Sequence, residues 1–132
     1  MSGPLIWVIE DNDQNFELVE FLLGEAGYVV ARGRDASDLA PLLAGAPADL
    51  VLLDMNLPSG SGLELLARLR ANERSRAVPV VALTAHAMRG DRERFLAAGC
   101  DGYISKPIES SQFLAAVAGF LRPRSRGDGV ER

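Results

Sequence analysis

The residues best suited to chemistry are acidic, hydroxyl and lysine side chains at the ends of apolar segments. Glu10 and Asp11 follow the first such segment, Asp54 the third and Lys106 the fifth, while Thr84 ends the fourth. If these segments are parallel strands, their carboxyl ends meet at one sheet edge, which is where such sheets bind ligands. Two like charges about 4 Å apart repel by about 4 kcal/mol even at an effective dielectric near 20. The pattern therefore predicts a divalent cation among the carboxylates.

Oxygen ligands at a half-solvated position favour Mg²⁺, which takes one or two carboxylates together with waters and a phosphate oxygen. We expect Asp11 and Asp54 to be direct ligands, the Asn56 backbone carbonyl to be a third, and Glu10 to hold a metal-bound water. A carboxylate beside Mg²⁺ can attack a phosphorus atom, because the ion offsets the charge of the transferred group. A single acidic residue after a strand is usually only solvated. The prediction that Asp54 is the nucleophile therefore depends on its placement together with Glu10 and Asp11.

Thr84 and Lys106 are the candidates for contacting phosphoryl oxygens. The Thr84 hydroxyl can donate a hydrogen bond, although a threonine here also suits a strand end or a helix N-cap. Lys106 is the only lysine among fourteen basic residues, and its ammonium group is a compact charge that arginine does not replace. The Lys106-Pro107 bond can be cis, which could turn the lysine inward.

Apolar and helical patterns predict the elements that position these residues. Strands are expected at residues 5–9, 28–31, 50–53, 78–83 and 102–105. Segments with apolar residues three and four apart lie between and after them and predict five helices. Strands that are apolar almost throughout must be covered on both faces. The fold class is therefore α/β, with a parallel sheet between two helical layers.

The bulk composition is that of one globular domain. We expect it to span residues 4–121 of the 132, with residues 122–132 as a disordered tail. A net charge of -4 argues against direct binding to nucleic acid, which relies on basic residues. The single cysteine excludes an internal disulfide, and no apolar run is long enough to cross a membrane. We therefore expect a cytoplasmic protein.

Several short motifs closely resemble the receiver domains of bacterial two-component response regulators. These motifs are Glu10-Asp11-Asn12, Leu53-Asp54-Met55-Asn56-Leu57-Pro58, Gly62, Leu83-Thr84-Ala85 and Tyr103-Ile104-Ser105-Lys106-Pro107. Local detail at residues 82–93 and 98–103 is similar to the receivers of phosphorelays and hybrid kinases. The resemblance implies a flavodoxin-like, doubly wound sheet of order 2-1-3-4-5 with five helices. It also implies phosphorylation of Asp54, Mg²⁺ bound by Asp11 and Glu10, and a phosphoryl group contacted by Thr84 and Lys106.

The same resemblance assigns roles to three further residues. Tyr103 is the implied switch aromatic, which turns inward when Thr84 moves toward phosphate and so alters the surface from the fourth to the fifth helix; otherwise it is a half-buried strand residue. Asn56 and His86 border the path of the water that attacks the phosphoaspartate and would tune its lifetime. The simpler interpretation of His86, which the sequence favours, is a solvated residue in the first turn of a helix.

The predicted function is phosphoacceptance in a two-component or phosphorelay system. The phosphoryl donor would be a sensor histidine kinase or a histidine phosphotransfer protein, and a downstream effector protein would bind the switched surface. No conventional turnover is expected beyond self-phosphorylation and slow autodephosphorylation. We also expect a monomer or weak dimer that acts through another protein.

Three other functions fit the sequence less well. A haloacid-dehalogenase-type phosphatase needs a second Asp two residues after its nucleophile, where this chain has Asn56. A flavin-binding module needs Gly and hydroxyl residues in its first loop, where Glu10 and Asp11 would repel the phosphate. An interaction module that signals without phosphate would not need the complete set of acidic, hydroxyl and lysine residues.

Overall fold

A computed structural model describes residues 3–55, 62–85 and 89–121 of the chain. The predictions for Asn56, His86 and the tail at 122–132 concern residues outside these ranges. None of the helices in the described ranges combines the length and the apolar character that a membrane crossing requires.

Five strands alternate with five α-helices along the chain. In chain order the elements are β1 (Leu5–Ile9), α1 (Asp13–Glu25), β2 (Val29–Gly33), α2 (Leu39–Ala44), β3 (Leu50–Asp54), α3 (Gly62–Ala71), β4 (Val80–Thr84), α4 (Arg89–Ala98), β5 (Gly102–Ser105) and α5 (Ser110–Leu121). A short 3₁₀ turn, Ala36–Asp38, leads directly into α2. The predicted bounds of β1 and β5 are those observed.

The strands form one parallel sheet in the order β2-β1-β3-β4-β5. This confirms the predicted flavodoxin-like order. In β3 and β4 all five residues are buried, as expected for strands covered on both faces. Because all strands run the same way, their carboxyl ends share one edge of the sheet, which we call the carboxyl edge; the opposite edge is the amino edge.

Alternate strand residues enter two separate cores, because successive side chains point to opposite faces of a sheet. On one face Ile6 and Val8 of β1 pack with apolar residues of α1 and α5. On the other face Trp7 and Ile9 pack with apolar residues of α2, α3 and α4. The two helical layers hold the sheet rigidly between them, so the residues at the strand ends have well-defined positions.

Strand β3 ends one residue later than predicted, at Asp54 rather than at residue 53, and the bounds of two other strands differ more. Strand β2 is Val29–Gly33 rather than 28–31, because its pairing with β1 continues to the Ile9–Gly33 pair. Strand β4 begins at Val80 rather than at residue 78, because the Val78 N–H donates to the Ser75 carbonyl in a turn. Both differences come from backbone hydrogen bonds, which the pattern of apolar residues alone does not reveal.

Glycines end two helices, as the sequence indicated. Gly27 follows α1 with a φ of 93°, and Gly99 follows α4 with a φ of 117°. Side-chain-bearing residues rarely adopt this left-handed region, so glycine is the residue that lets each chain segment turn from helix into strand.

Candidate functional site

The carboxyl edge gathers the five residues singled out in the sequence. Asp54 ends β3 and Thr84 ends β4, while Glu10, Asp11 and Lys106 lie just beyond β1 and β5. Glu10, Asp54 and Thr84 are each at most 2% exposed. One carboxylate oxygen from each of Glu10, Asp11 and Asp54 lies within 4.8 Å of the other two. Asn56 and His86, the residues predicted to tune the lifetime of the phosphoaspartate, lie outside the described ranges.

Lys106 bridges two of the buried carboxylates. Its Nζ donates to Glu10 Oε1 at 3.2 Å and lies 3.4 Å from Asp54 Oδ1. Its backbone N–H donates to the Thr84 carbonyl at 2.8 Å, which extends the pairing of β4 and β5 by one residue. The Lys106-Pro107 bond is cis, and the side chain points into the acidic cluster with 17% of its surface exposed. The direct contact with Glu10 was not anticipated from the sequence.

Burial and like charge make Glu10 a stronger proton binder than an ordinary glutamate. Its pKa is raised above its usual value, first by burial and then by the negative charge of Asp54 and a hydrogen bond with that side chain. The Lys106 ammonium and the Asn12 backbone N–H lower the pKa, but they offset these effects only in part. The cluster therefore carries more negative charge than its own cation balances.

The composition of the cluster fits a small hard cation. Carboxylate oxygens are the ligands that Mg²⁺ takes, and Mg²⁺ is commonly bound through one or two carboxylates with waters completing its shell. Asp11 is only half-buried, so solvent reaches this side of the cluster. An added divalent ion would offset the negative charge of Asp54, which after burial is the second cause of the raised pKa of Glu10. The donor set and its electrostatics are thus those of a magnesium site.

The loop from β1 to α1 is fixed by its own hydrogen bonds. The Asn12 side chain caps α1 by accepting from the Asn15 N–H at 2.8 Å, and the Asn12 N–H donates to Glu10 Oε2 at 3.2 Å. Arg32 of β2 donates from Nε and Nη2 to the Glu10 carbonyl oxygen at 3.1 and 2.9 Å. No sequence motif pointed to Arg32, because its acceptor is a backbone atom 22 residues away.

Gly62 allows the start of α3 to approach the end of β3 closely. A Cβ atom at this position would lie 2.7 Å from Met55 Cα and 3.0 Å from the Asp54 carbonyl oxygen. Real Cβ atoms do not approach backbone this closely, so any other residue would push Met55 or α3 away. The glycine of the motif therefore protects the backbone position of Asp54.

Tyr103 lies on β5 opposite Ala82 and is half-buried. The Arg92 guanidinium of α4 lies over its ring, 5.2 Å from the centroid, which is within range of a cation–π contact. A groove of about 360 Å³ runs between β5 and α5, and Tyr103, Pro107 and Gln112 contribute to its walls. The tyrosine thus sits between the site and the surface formed by α4, β5 and α5.

Comparison with known proteins identifies the class that this fold and site define. The family model of the response regulator receiver domain matches residues 6–118. The chain therefore belongs to the response regulator receiver domain family of two-component signalling, which confirms the resemblance seen in the motifs. Receiver domains work with histidine kinases or phosphotransfer proteins and with effectors, so the predicted kinds of partner are those of the family.

Individual relatives support this membership. The polar-differentiation response regulator DivK of Brucella ovis is 39% identical over 116 residues, covering 88% of this chain and 94% of that protein. The receiver domain of the sensor histidine kinase PA1611 of Pseudomonas aeruginosa has a TM-score of 0.82 at 32% identity, covering 91% of this chain and 98% of that chain. That structure has a magnesium ion coordinated in its active site cleft. The chemotaxis response regulator CheY4 of Vibrio cholerae, with a TM-score of 0.84 at 21% identity over 90% of this chain and 99% of that chain, shows the shared fold alone.

Proposed function

We propose that Asp54 is the phosphoacceptor of this receiver domain, which spans residues 4–121. The observation that carries the proposal is the cluster of Glu10, Asp11 and Asp54, in which one carboxylate oxygen of each lies within 4.8 Å of the other two. Lys106 contacts two of these carboxylates, those of Glu10 and Asp54. The bound Mg²⁺ would supply charge neutralisation for the transferred phosphoryl group. Asp11, Asp54 and the Asn56 backbone carbonyl would hold the ion directly, and Glu10 would hold it through water. The magnesium in the cleft of the similar PA1611 receiver supports this assignment.

In the proposed reaction a carboxylate oxygen of Asp54 attacks the phosphorus of a phosphohistidine. An O–P bond forms, the N–P bond breaks, and the histidine ring takes the bonding electron pair. The burial of Asp54 at the end of a rigid strand holds the nucleophile in place. The Lys106 ammonium group, 3.4 Å from Asp54 Oδ1, would turn toward one phosphoryl oxygen. The Thr84 hydroxyl would donate a hydrogen bond to another.

We further propose that Thr84 and Tyr103 couple the site to the surface of α4, β5 and α5. Thr84 and Tyr103 lie on adjacent strands, and the Lys106 N–H bonds directly to the Thr84 carbonyl. A shift of Thr84 toward phosphate would change the room available to Tyr103 and hence its contact with Arg92. The phosphorylated state would then favour one arrangement of this surface, and an effector that binds it would shift the population.

The remaining assignments concern partners and lifetime. The proposed phosphoryl donor is a sensor histidine kinase or a histidine phosphotransfer protein, and the proposed output is a downstream effector protein. Asn56 and His86 would tune the lifetime of the phosphoaspartate. The net charge of -4 favours a protein partner over direct contact with nucleic acid or membrane. We propose a cytoplasmic protein that acts as a monomer or weak dimer.

Phosphorylation by a small-molecule donor tests the proposal. Incubation of the wild-type protein with acetyl phosphate and Mg²⁺ should add about 80 Da to its intact mass, the increment of one phosphoryl group. The adduct should be absent from Asp54→Asn and should not form in EDTA. Asp35→Asn, which changes a half-buried aspartate that caps the 3₁₀ turn, is the matched control and should label normally. A wild-type protein that gains no mass, or an Asp54→Asn variant that gains it equally, would refute the assignment.

A further inference from the structure

Arg32 of β2 makes an unusual set of contacts around the acidic loop. Its Nε and Nη2 atoms donate to the Glu10 carbonyl oxygen at 3.1 and 2.9 Å. The same Nη2 lies 3.0 Å from Asp13 Oδ1, and the guanidinium lies over the Phe16 ring, 4.3 Å from its centroid. Only 20% of the side chain is exposed. One side chain therefore contacts both the end of β1 and the first turn of α1.

These contacts fix both ends of the segment that contains Glu10 and Asp11. At the first end Glu10 is fixed through its carbonyl by Arg32 and through its N–H by the Gly33 carbonyl at 2.9 Å. At the second end Asp13 and Phe16 contact the same guanidinium. Asp11 and Asn12 lie between the two ends, so they cannot shift relative to β1 without breaking contacts of Arg32.

We propose that Arg32 is a positioning residue for magnesium, acting through the backbone of Glu10 and Asp11 rather than by touching the ion. The inference rests on the proposed function, because it concerns the same metal site. Groups behind metal ligands orient those ligands, and their removal commonly weakens metal binding about tenfold or more. A lysine could not replace the arginine fully, since the planar fork of a guanidinium lets it donate to the carbonyl and the carboxylate together.

The neighbouring Arg34 provides a matched control. Its Nη2 lies 3.0 Å from the same Asp13 oxygen, but its side chain is 55% exposed and none of its described contacts reaches Glu10. If Arg32 merely joined β2 to α1 through Asp13, then removing Arg34 would have a similar effect. If Arg32 acts through the Glu10 carbonyl, removing Arg32 should weaken the binding of Mg²⁺ and removing Arg34 should not.

Titration of Mg²⁺ into EDTA-treated, dialysed protein by calorimetry tests the inference. We expect Arg32→Gln to raise the Kd for Mg²⁺ about tenfold and Arg34→Gln to leave it within about twofold of wild type. The rate of labelling by acetyl phosphate at saturating Mg²⁺ should return to within about threefold of wild type in Arg32→Gln, because the chemical groups themselves remain. Circular dichroism shows whether each variant is folded.

An unchanged Kd in folded Arg32→Gln would overturn the inference, as would an equal rise in Arg34→Gln. If Arg32→Gln does not fold, Arg32→Lys takes its place, with a rise of about threefold expected and no rise contradicting the inference. A wild-type protein that binds no Mg²⁺ would overturn the proposed function itself and this inference with it. Normal binding by wild type and by Arg32→Gln alike would overturn this inference alone.

Discussion

The two edges of the sheet place charged residues in opposite ways. At the amino edge Arg70, near the end of α3, donates to the carbonyl of Gly99 at 3.1 and 2.7 Å, and to those of Arg76 and Val78 at 3.0 and 2.6 Å. It also pairs with Asp101 Oδ2 at 2.8 Å, and that oxygen accepts from the Val80 N–H. There Arg70 and Asp101 pair with each other, and both side chains also form hydrogen bonds with backbone groups.

At the carboxyl edge the described side chains leave an imbalance. Lys106 contacts both Glu10 and Asp54, and Asp11 adds a third carboxylate to the cluster. Burial and like charge raise the pKa of Glu10 rather than lowering it, which shows that ionisation of this group opposes folding. The charged groups of the amino edge are thus paired within the chain itself, whereas the carboxyl edge would be completed by the proposed ion and phosphoryl group. Functional sites commonly lower stability in this way.

The largest expected effect on stability follows from breaking the amino edge. Arg70→Ala should lower the free energy of unfolding by about 3 kcal/mol, mainly because three backbone carbonyls lose a charge-assisted hydrogen bond. The ion pair with Asp101 adds little, since both side chains are partly exposed and solvent screens them. Denaturant unfolding measures the change. The Mg²⁺ affinity of the folded variant should be unchanged, because the contacts of Arg70 lie at the other edge.

Arg74→Ala is the control, since within the described ranges the exposed Arg74 side chain donates to one carbonyl, that of Gly45, at 2.9 Å. Arg74→Ala should lower the free energy of unfolding by less than about 1 kcal/mol. Equal losses in the free energy of unfolding of Arg70→Ala and Arg74→Ala would show that the carbonyl acceptors around Arg70 do not stabilise the fold more than the acceptor of Arg74 does.

A smaller effect is expected where α3 meets the carboxyl edge. Gly62→Ala should cost about 2 kcal/mol and slow phosphorylation, because the new Cβ would lie 2.7 Å from Met55 Cα beside Asp54. Gly24→Ala is matched to it, since Gly24 lies within α1 and a Cβ there meets nothing within 4 Å. That variant should be stabilised by about 0.5–1 kcal/mol through helix propensity. Thermal or denaturant unfolding of both variants makes the comparison; equal stabilities would show that the close approach is easily relieved.

The last prediction concerns reactivity rather than stability, at Cys100 beside the amino edge. The pKa of the Cys100 thiol is raised to about 11, chiefly by burial; the charge of Arg70 partly opposes this rise, and that of Asp101 adds to it. Because the thiolate is the reactive form, a thiol reagent at pH 8 should label the folded protein at least about a hundredfold more slowly than the protein in denaturant. The rate should increase as the pH rises toward 11. Similar labelling rates in the folded and the denatured protein would show that the amino edge opens readily to the reagent.

Much of the fold and the identity of the clustered residues could be predicted from the sequence. Apolar runs marked all five strands, and the polar residues after them marked the carboxyl edge, because both signals are local. The contributions of Arg70 and Arg32 could not be predicted in this way. Their acceptors are mainly backbone carbonyls, and those of Gly99 and Glu10 are 29 and 22 residues away, so neither side-chain type nor spacing indicates them. The contact between Lys106 and Glu10, 96 residues apart, likewise depends on the folded sheet.

The carboxyl edge would give up stability in order to hold the proposed cation and phosphoryl group. The most direct test is the free energy of unfolding of wild type and Asp54→Asn, each measured in EDTA and in excess Mg²⁺. In EDTA we expect Asp54→Asn to be about 1 kcal/mol more stable, because one buried negative charge is removed from the cluster. At a hundred times its Kd, Mg²⁺ should stabilise the wild type by about 2.7 kcal/mol and the variant far less, so that the order reverses. A variant less stable than wild type in EDTA, or an equal response of both proteins to Mg²⁺, would contradict the account.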